Sequence, residues 1–290
     1  MPSRAAQRPI LDWYDSSSRD LPWRRPEVGP WAVLVSEVML QQTPVARVLP
    51  VYRAWMRRWP APAALAAESP GQAIRGWGRL GYPRRALRLH EAAVAIEQRH
   101  DGRVPSSVDD LRRLPGVGEY TAAAVAAFAF GQRTVVLDTN VRRVLSRLLV
   151  GVEHPPARLS RAERLLAGSV LPESPSISAR WNVAVMELGA VICTASAPRC
   201  DRCPVSSLCA WRLAGYPAAN EERRHSQTYA GTDRECRGRI LSALRESDLP
   251  VPIAVIDATW DDAVQLERAL ASLVSDGLVV RASCGTFALP

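Results

Sequence analysis

The chain has 290 residues, 47% of them hydrophobic, and a formal net charge of +8. That length suggests two domains with ordinary cores, and the charge favours a polyanionic partner. All 37 basic residues are arginine, which excludes chemistry that needs a side-chain amine, such as a Schiff base. The amino terminus lacks the apolar core of a signal peptide, and no apolar run approaches the roughly 20 residues of a membrane helix. A cytoplasmic protein is expected.

Taken in chain order, residues 1–215 read as an all-α region of many short helices. "WAVLVSEVMLQQTPVARVLPVYRAWMRRW" carries apolar residues at helical spacing, with Glu37 flanked by apolar neighbours. The pattern alone leaves Glu37 as either a polar helix face or a pocket carboxylate. In a dry pocket, desolvation raises a carboxyl pKa and keeps a proton available. "RRALRLHEAAVAIEQRH" is a second periodic run, and Pro60, Pro62, Pro70, Gly71 and Gly81 punctuate the interval between them.

"LRRLPGVGEYTAAAVAAFAFG" places Gly116, Val117 and Gly118 at the mouth of an apolar helix, with Tyr120 just inside it. Glycines there let a ligand approach the main chain, and the free N–H groups of a helix start suit a phosphate. A plain inter-helix turn explains the same residues. "VVLDTNVRRVLSRLLV" then sets Asp138 ahead of an arginine-rich helix, where an aspartate is an ordinary N-cap.

Cys193, Cys200, Cys203 and Cys209 form C-x6-C-x2-C-x5-C. Four thiolates so close bind zinc or an iron–sulfur cluster. Structural zinc more often uses two short-spaced pairs, and the unequal arms suit a compact cubane better.

Residues 216–235 are polar and aperiodic and read as a linker. Residues 236–290 contain two further helical runs, "RGRILSALRES" and "DDAVQLERALASLVSDG", and a terminal "LVVRASCGTFALP" that suits a hairpin. Together they predict a small winged-helix-like domain.

The cysteine spacing resembles the [4Fe–4S] loop of the endonuclease III and MutY-type adenine DNA glycosylase superfamily. "LRRLPGVGEYTA" resembles its helix–hairpin–helix motif, and "LDTNVRRV" its catalytic aspartate segment, with Asn140 beside Asp138. "SEVMLQQT" resembles the segment that carries the acid of adenine glycosylases, which endonuclease III relatives lack. The resemblance spans about residues 9–215. It implies a helix–hairpin–helix glycosylase with a [4Fe–4S] cluster on the four cysteines, and no nucleotide cofactor.

The same resemblance implies that Glu37 protonates adenine and that Asp138 stabilises the sugar cation. Leu40, Gln42 and Thr43 match positions that touch the base opposite the target. "RLGYPRRALRL" resembles the segment "GLGYYxRA", which implies DNA contacts at Leu80 and Tyr82, with Tyr82 as an aromatic wedge. "RDLPWR" resembles the entry segment and puts Arg19 and Trp23 near the adenine pocket. Bifunctional relatives carry a lysine where Tyr120 stands, so a monofunctional enzyme is implied.

The expected partner is double-stranded DNA with an adenine:8-oxoguanine or adenine:guanine mispair, met by a monomer. Typical members end in a larger, strand-rich Nudix-like domain that recognises 8-oxoguanine, whereas about 55 residues follow the linker here. Competing readings are an endonuclease III-type enzyme for oxidised pyrimidines and a non-catalytic iron–sulfur DNA-binding protein.

Overall fold

The computed structural model describes residues 2–218 and 229–290. Much of the expected linker, residues 219–228, therefore lies outside the described residues. In chain order the helices are α1 (Pro2–Ala5), α2 (Gln7–Ser17), α3 (Pro30–Leu40), α4 (Val45–Arg58), α5 (Pro62–Ala66), α6 (Pro70–Trp77), α7 (Arg84–His100) and α8 (Val108–Arg112). They continue with α9 (Glu119–Phe130), α10 (Thr139–Leu145), α11 (Arg161–Val170), α12 (Pro175–Val191), α13 (Ala210–Leu213), α14 (Asp233–Glu246), α15 (Ile253–Asp257) and α16 (Ala263–Ser275). Three short strands follow or interrupt the last helices: β1 (Val251–Pro252), β2 (Val280–Arg281) and β3 (Thr286–Ala288).

Local chemistry sets most of these ends. Pro62, Pro70 and Pro175 open α5, α6 and α12 at first-turn positions that have no use for an N–H. Ser160 and Glu163 form a reciprocal capping box on α11. Gly131 ends α9 in the left-handed conformation at φ 63°.

The chain divides into two compact units. The first comprises residues 1–33, 106–112 and 117–223. Its core joins Ile10 of α2 to Val141, Val144 and Leu145 of α10 and to Trp181, Val185 and Leu188 of α12. Polar groups are paired inside it: Asn182 Nδ2 donates to the Thr134 carbonyl at 2.8 Å.

The second unit comprises residues 34–105, 113–116 and 224–290. Trp55, Trp59 and Trp77 are almost wholly buried there, and Trp55 meets both others edge-on, at centroid distances of 4.5 and 5.8 Å. Gly76 lets this cluster close, because a Cβ at that position would stand 2.7 Å from the Trp59 ring.

The tail of the second unit runs helix, strand, helix, helix, strand, strand, the order of a winged helix. Its sheet is antiparallel in the order β1-β3-β2, with Val251 opposite Phe287 and Arg281 opposite Phe287 on the other side. The two helical runs and the hairpin read from the sequence are present. The first helix starts at Asp233 rather than after the expected linker, and its first turn carries Asp233 and Glu235, which favour a helix amino terminus.

Candidate active site and iron–sulfur loop

Glu37 sits on α3, where Trp31, Val33, Leu34, Val35, Ser36, Val38 and Met39 are all buried as well. A helix apolar on nearly every side has no solvated face to offer. Glu37 is itself only 5% exposed, so the surface-carboxylate reading fails and a carboxyl held in a low-dielectric setting remains.

Asp138 is the N-cap of α10, as the sequence pattern predicted, and it does more than cap. Oδ1 accepts from the Val141 N–H at 2.6 Å, and Oδ2 accepts from Asn140 Nδ2 at 2.8 Å. Burial pushes the Asp138 carboxyl up, above the ordinary 3.8, against the lowering effect of those two hydrogen bonds. Asn140 Oδ1 in turn accepts from Arg143 Nη2 at 2.8 Å, and Arg143 Nε donates to the Cys193 carbonyl at 2.8 Å. Gly189 makes room for this pair, since a Cβ there would lie 2.7 Å from the Asn140 Cβ. Tyr120, on the first turn of α9, packs against Ala124, Ala127 and Val136.

The glycine turn divides its labour. Gly116 has φ 76°, and a Cβ there would lie 2.6 Å from the Arg88 Cβ, so both backbone and packing require glycine. Gly118 is the N-cap of α9 with no side-chain cap, and a Cβ there would meet nothing within 4 Å. Val117 between them is buried. A 12-residue helix thus begins on a glycine cap that brings no side chain to its amino terminus.

Gln42 and Tyr82 both hold a left-handed backbone, φ 52° and 47°, a conformation that costs a non-glycine residue roughly 1–3 kcal/mol and clusters at functional sites. One arginine organises both. Arg85 Nη1 donates to the carbonyls of Val38 (2.9 Å), Met39 (3.0 Å) and Gln41 (2.5 Å) at the end of α3. Its Nη2 donates to Thr43 Oγ1 at 2.9 Å and to the Gly81 carbonyl at 3.2 Å. The guanidinium also lies over the Trp77 and Tyr82 rings, 5.1 and 5.4 Å from their centroids. Burial lowers its pKa to about 10, still far above neutrality. Tyr82 is 52% exposed, whereas Leu80 is buried, Thr43 is buried beside Arg85 and Leu40 is half-buried.

Arg19 is not a free cation. Its Nε and Nη2 hold the two oxygens of Glu187 at 2.6 and 2.7 Å, and Arg24 Nη2 adds a third bond at 2.8 Å. Burial pushes the Glu187 carboxyl up, but the two guanidiniums outweigh it and hold the group at about 2. Trp23 is buried close by in sequence. Sequence reasoning named Arg19 and missed Glu187, 168 residues away.

The four cysteines line one cavity together with Arg147, Ile192, Ser206, Trp211 and Arg212, with about 300 Å³ of empty space that opens to solvent. Among the described residues no three His, Cys, Asp or Glu side chains stand close enough to hold a single ion. Four thiols around a wider space suit a multinuclear cluster rather than one zinc, whose thiolates lie about 2.3 Å from the metal. Burial pushes the Cys203 thiol up to about 11, a setting in which thiolates persist only against a cationic centre. Arg147, 1% exposed, props the loop: Nη1 donates to the Thr194 carbonyl at 2.7 Å, Nη2 to Ala195 at 3.1 Å, and the group lies 4.5 Å from the Trp211 ring centroid. Arg199 and Arg202 are exposed on the same loop.

Residues 35–166 match the HhH-GPD superfamily of base excision DNA repair proteins, and residues 193–209 match the iron–sulfur binding domain of endonuclease III. An adenine DNA glycosylase of Mycolicibacterium smegmatis is 51% identical over 97% of this chain and 94% of its own length. The chain belongs to the adenine DNA glycosylases. As a member of that family it is a base excision repair enzyme of DNA, with a [4Fe–4S] cluster held in the cysteine loop. A thermostable thymine-DNA glycosylase structure is similar with a TM-score of 0.66 and 27% identity, covering 73% of this chain and 97% of that one. An endonuclease III–DNA complex, at 23% identity and a TM-score of 0.62 over 73% of this chain and 95% of that one, shares the fold. Among the described residues no helix is long and apolar enough to cross a membrane.

Proposed function

We propose that this glycosylase excises adenine mispaired with 8-oxoguanine or guanine in double-stranded DNA, as a monomer in the cytoplasm, and leaves an abasic site without cutting the strand. The observation that carries the reading is Glu37, a carboxyl 5% exposed on a helix with no polar face. A mispaired adenine costs less to extrude than a paired one. Once extruded, it takes a proton from Glu37 and becomes a neutral leaving group. The sugar develops oxocarbenium character, which the negative charge of Asp138 stabilises while Asn140 fixes the orientation of that carboxylate. Water completes the reaction, with Glu37 now accepting a proton.

Tyr120 supports the monofunctional reading, because a phenol does not form the imine through which an amine cleaves the strand. Gly116, Val117 and Gly118 grip a phosphate through the start of α9, and Arg199 and Arg202 add charge contacts to the backbone. Tyr82 enters the base stack, and Leu80 supports it from the interior. Gln42, Thr43 and Leu40 face the base opposite the adenine, and Arg19 and Trp23 shape the adenine pocket. In this reading residues 1–215 form the glycosylase domain, 216–235 the linker and 236–290 a separate module.

The test is a panel of duplexes with adenine opposite 8-oxoguanine, guanine, cytosine and thymine, scored as alkali-labile sites, with a thymine-glycol duplex beside them. Rapid cleavage of the first two alone is expected. Equal excision across the four partners overturns the mispair preference, and cleavage of thymine glycol favours the oxidised-pyrimidine reading. DNA binding without any abasic site returns the non-catalytic one.

A further inference from the structure

The winged-helix order of residues 229–290 invites the reading that α16 enters a DNA groove as a recognition helix does. Its chemistry is wrong for that. The segment has six arginines against nine aspartates and glutamates on a chain whose net charge is +8, and a DNA-binding module is expected to concentrate basic residues on one face. Several of those arginines are already bound to carboxylates of the same segment. Arg268 of α16 holds Asp233 at 2.7 Å, Arg239 holds Glu235 at 2.9 Å and Arg237 holds Asp276 at 2.6 Å. The remaining exposed positions of α16 include Val264 and Glu267, and neither suits a phosphate.

What the segment does hold is the frame of the Tyr82 loop. On the upstream side, the Gly71 N–H in the first turn of α6 donates to the Pro290 carbonyl at 2.5 Å. A Cβ at Gly71 would collide with that oxygen and lie 3.1 Å from the Leu289 Cβ. One turn later, the Arg75 guanidinium donates to the carbonyls of Arg245 and Ser247 where α14 ends, and lies 3.6 Å from Asp248. On the downstream side, Arg84, the first residue of α7, pairs with Asp276 just past α16. Asp276 is fixed in turn by Arg237 of α14. The loop between these attachments contains Gly78 and Gly81, both at positive φ, and then Tyr82.

We infer that residues 229–290 brace the Tyr82 loop from both sides, so that the tyrosine enters the stack against a fixed support, and that this segment does not itself read DNA. A wedge must resist the restacking of the bases it parts. Arg85 and the Trp77 indole hold the loop from within at the Gly81 carbonyl, and the attachments at Gly71, Arg75 and Arg84 hold the two ends between which its positive-φ glycines could otherwise give way. This inference rests on the proposed wedge role of Tyr82.

The experiment compares single-turnover adenine excision on two duplexes. One carries adenine opposite 8-oxoguanine. In the other, the adenine faces an abasic analogue and is already poorly stacked. Each variant is scored by the ratio of its two rates, which cancels any loss of folded enzyme. Gly71→Ala, Arg75→Met and Asp276→Asn are expected to slow the first duplex about tenfold relative to the second, and Tyr82→Ala to do the same. If Tyr82→Ala shifts the ratio and the three brace variants do not, the brace is wrong and the wedge stands. If Tyr82→Ala leaves the ratio unchanged, the wedge reading itself fails. Arg234→Ser with Arg281→Ser is expected to leave affinity for an undamaged duplex and its salt slope unchanged. A weaker affinity with a shallower slope overturns the claim that the segment makes no phosphate contact.

Discussion

Asn140 joins Asp138 to Arg143: its Nδ2 donates to Asp138 Oδ2 at 2.8 Å, and its Oδ1 accepts from Arg143 at 2.8 Å. The amide cannot flip without breaking both bonds, so Asp138 always faces a donor. Burial raises the Asp138 pKa and this hydrogen bond opposes the rise. In the proposed mechanism excision needs Asp138 ionised, so activity is expected to fall as pH drops through a value above the ordinary 3.8. Asn140→Ala removes a donor to the charged form, and the acid limb of the single-turnover pH profile is expected to move to higher pH. A limb that stays where it is in wild type, or moves down, removes Asn140 from the control of that carboxylate.

Glu37→Gln keeps the shape of the side chain and removes its acid. Excision from adenine:8-oxoguanine duplexes is expected to fall by about 10²- to 10⁴-fold, with mispair binding retained in a gel-shift titration. A near-normal rate eliminates the proton donor proposed here.

Glu187 is fully buried and held at about 2 by Arg19 and Arg24. A carboxyl depressed in the folded state adds stability above its ordinary pKa of 4.5 and loses it as pH falls from there towards 2. The depression corresponds to about 3 kcal/mol at neutral pH. Glu187→Gln should therefore lower the urea midpoint at pH 7 and flatten its decline between pH 5 and pH 2. An acid decline as steep as that of wild type assigns the acid sensitivity to other groups.

Arg147 ties its own helix segment to the carbonyls of Thr194 and Ala195, next to Cys193. Arg147→Met retains bulk and loses those bonds. The visible absorbance of the cluster is expected to bleach faster in the presence of an iron chelator, while far-ultraviolet circular dichroism stays close to wild type. Unchanged bleaching shows that the loop stands without this support.

The iron–sulfur loop, the glycine turn and the Asp138 segment were legible because each is a local spacing whose chemistry is written within about 20 residues. Glu37 was visible as a candidate, yet its environment was not. That depended on the all-round apolar stretch at residues 31–40 being covered by its neighbours, which a single helical period read over the longer run did not separate from a one-sided helix. Glu187, Arg85 and Arg147 escaped for a different reason. In a chain whose 37 basic residues are all arginine, one more arginine carries no signal, and the partners of Glu187 lie 163 and 168 residues away. The tail's helices and hairpin were readable, whereas the two-residue strand Val251–Pro252 was too short to leave a pattern.

The Trp77 indole N–H donates to the Gly81 carbonyl at 2.9 Å, one residue before Tyr82, while its ring meets Trp55 edge-on and the Arg85 guanidinium. An indole so placed gives the enzyme a native fluorophore wired to the segment proposed to part the bases. A change in tryptophan emission on mixing with lesion-containing DNA, with no dye attached, is the expected signal of that segment's arrival, and its loss in Trp77→Phe assigns it to this ring among the nine tryptophans.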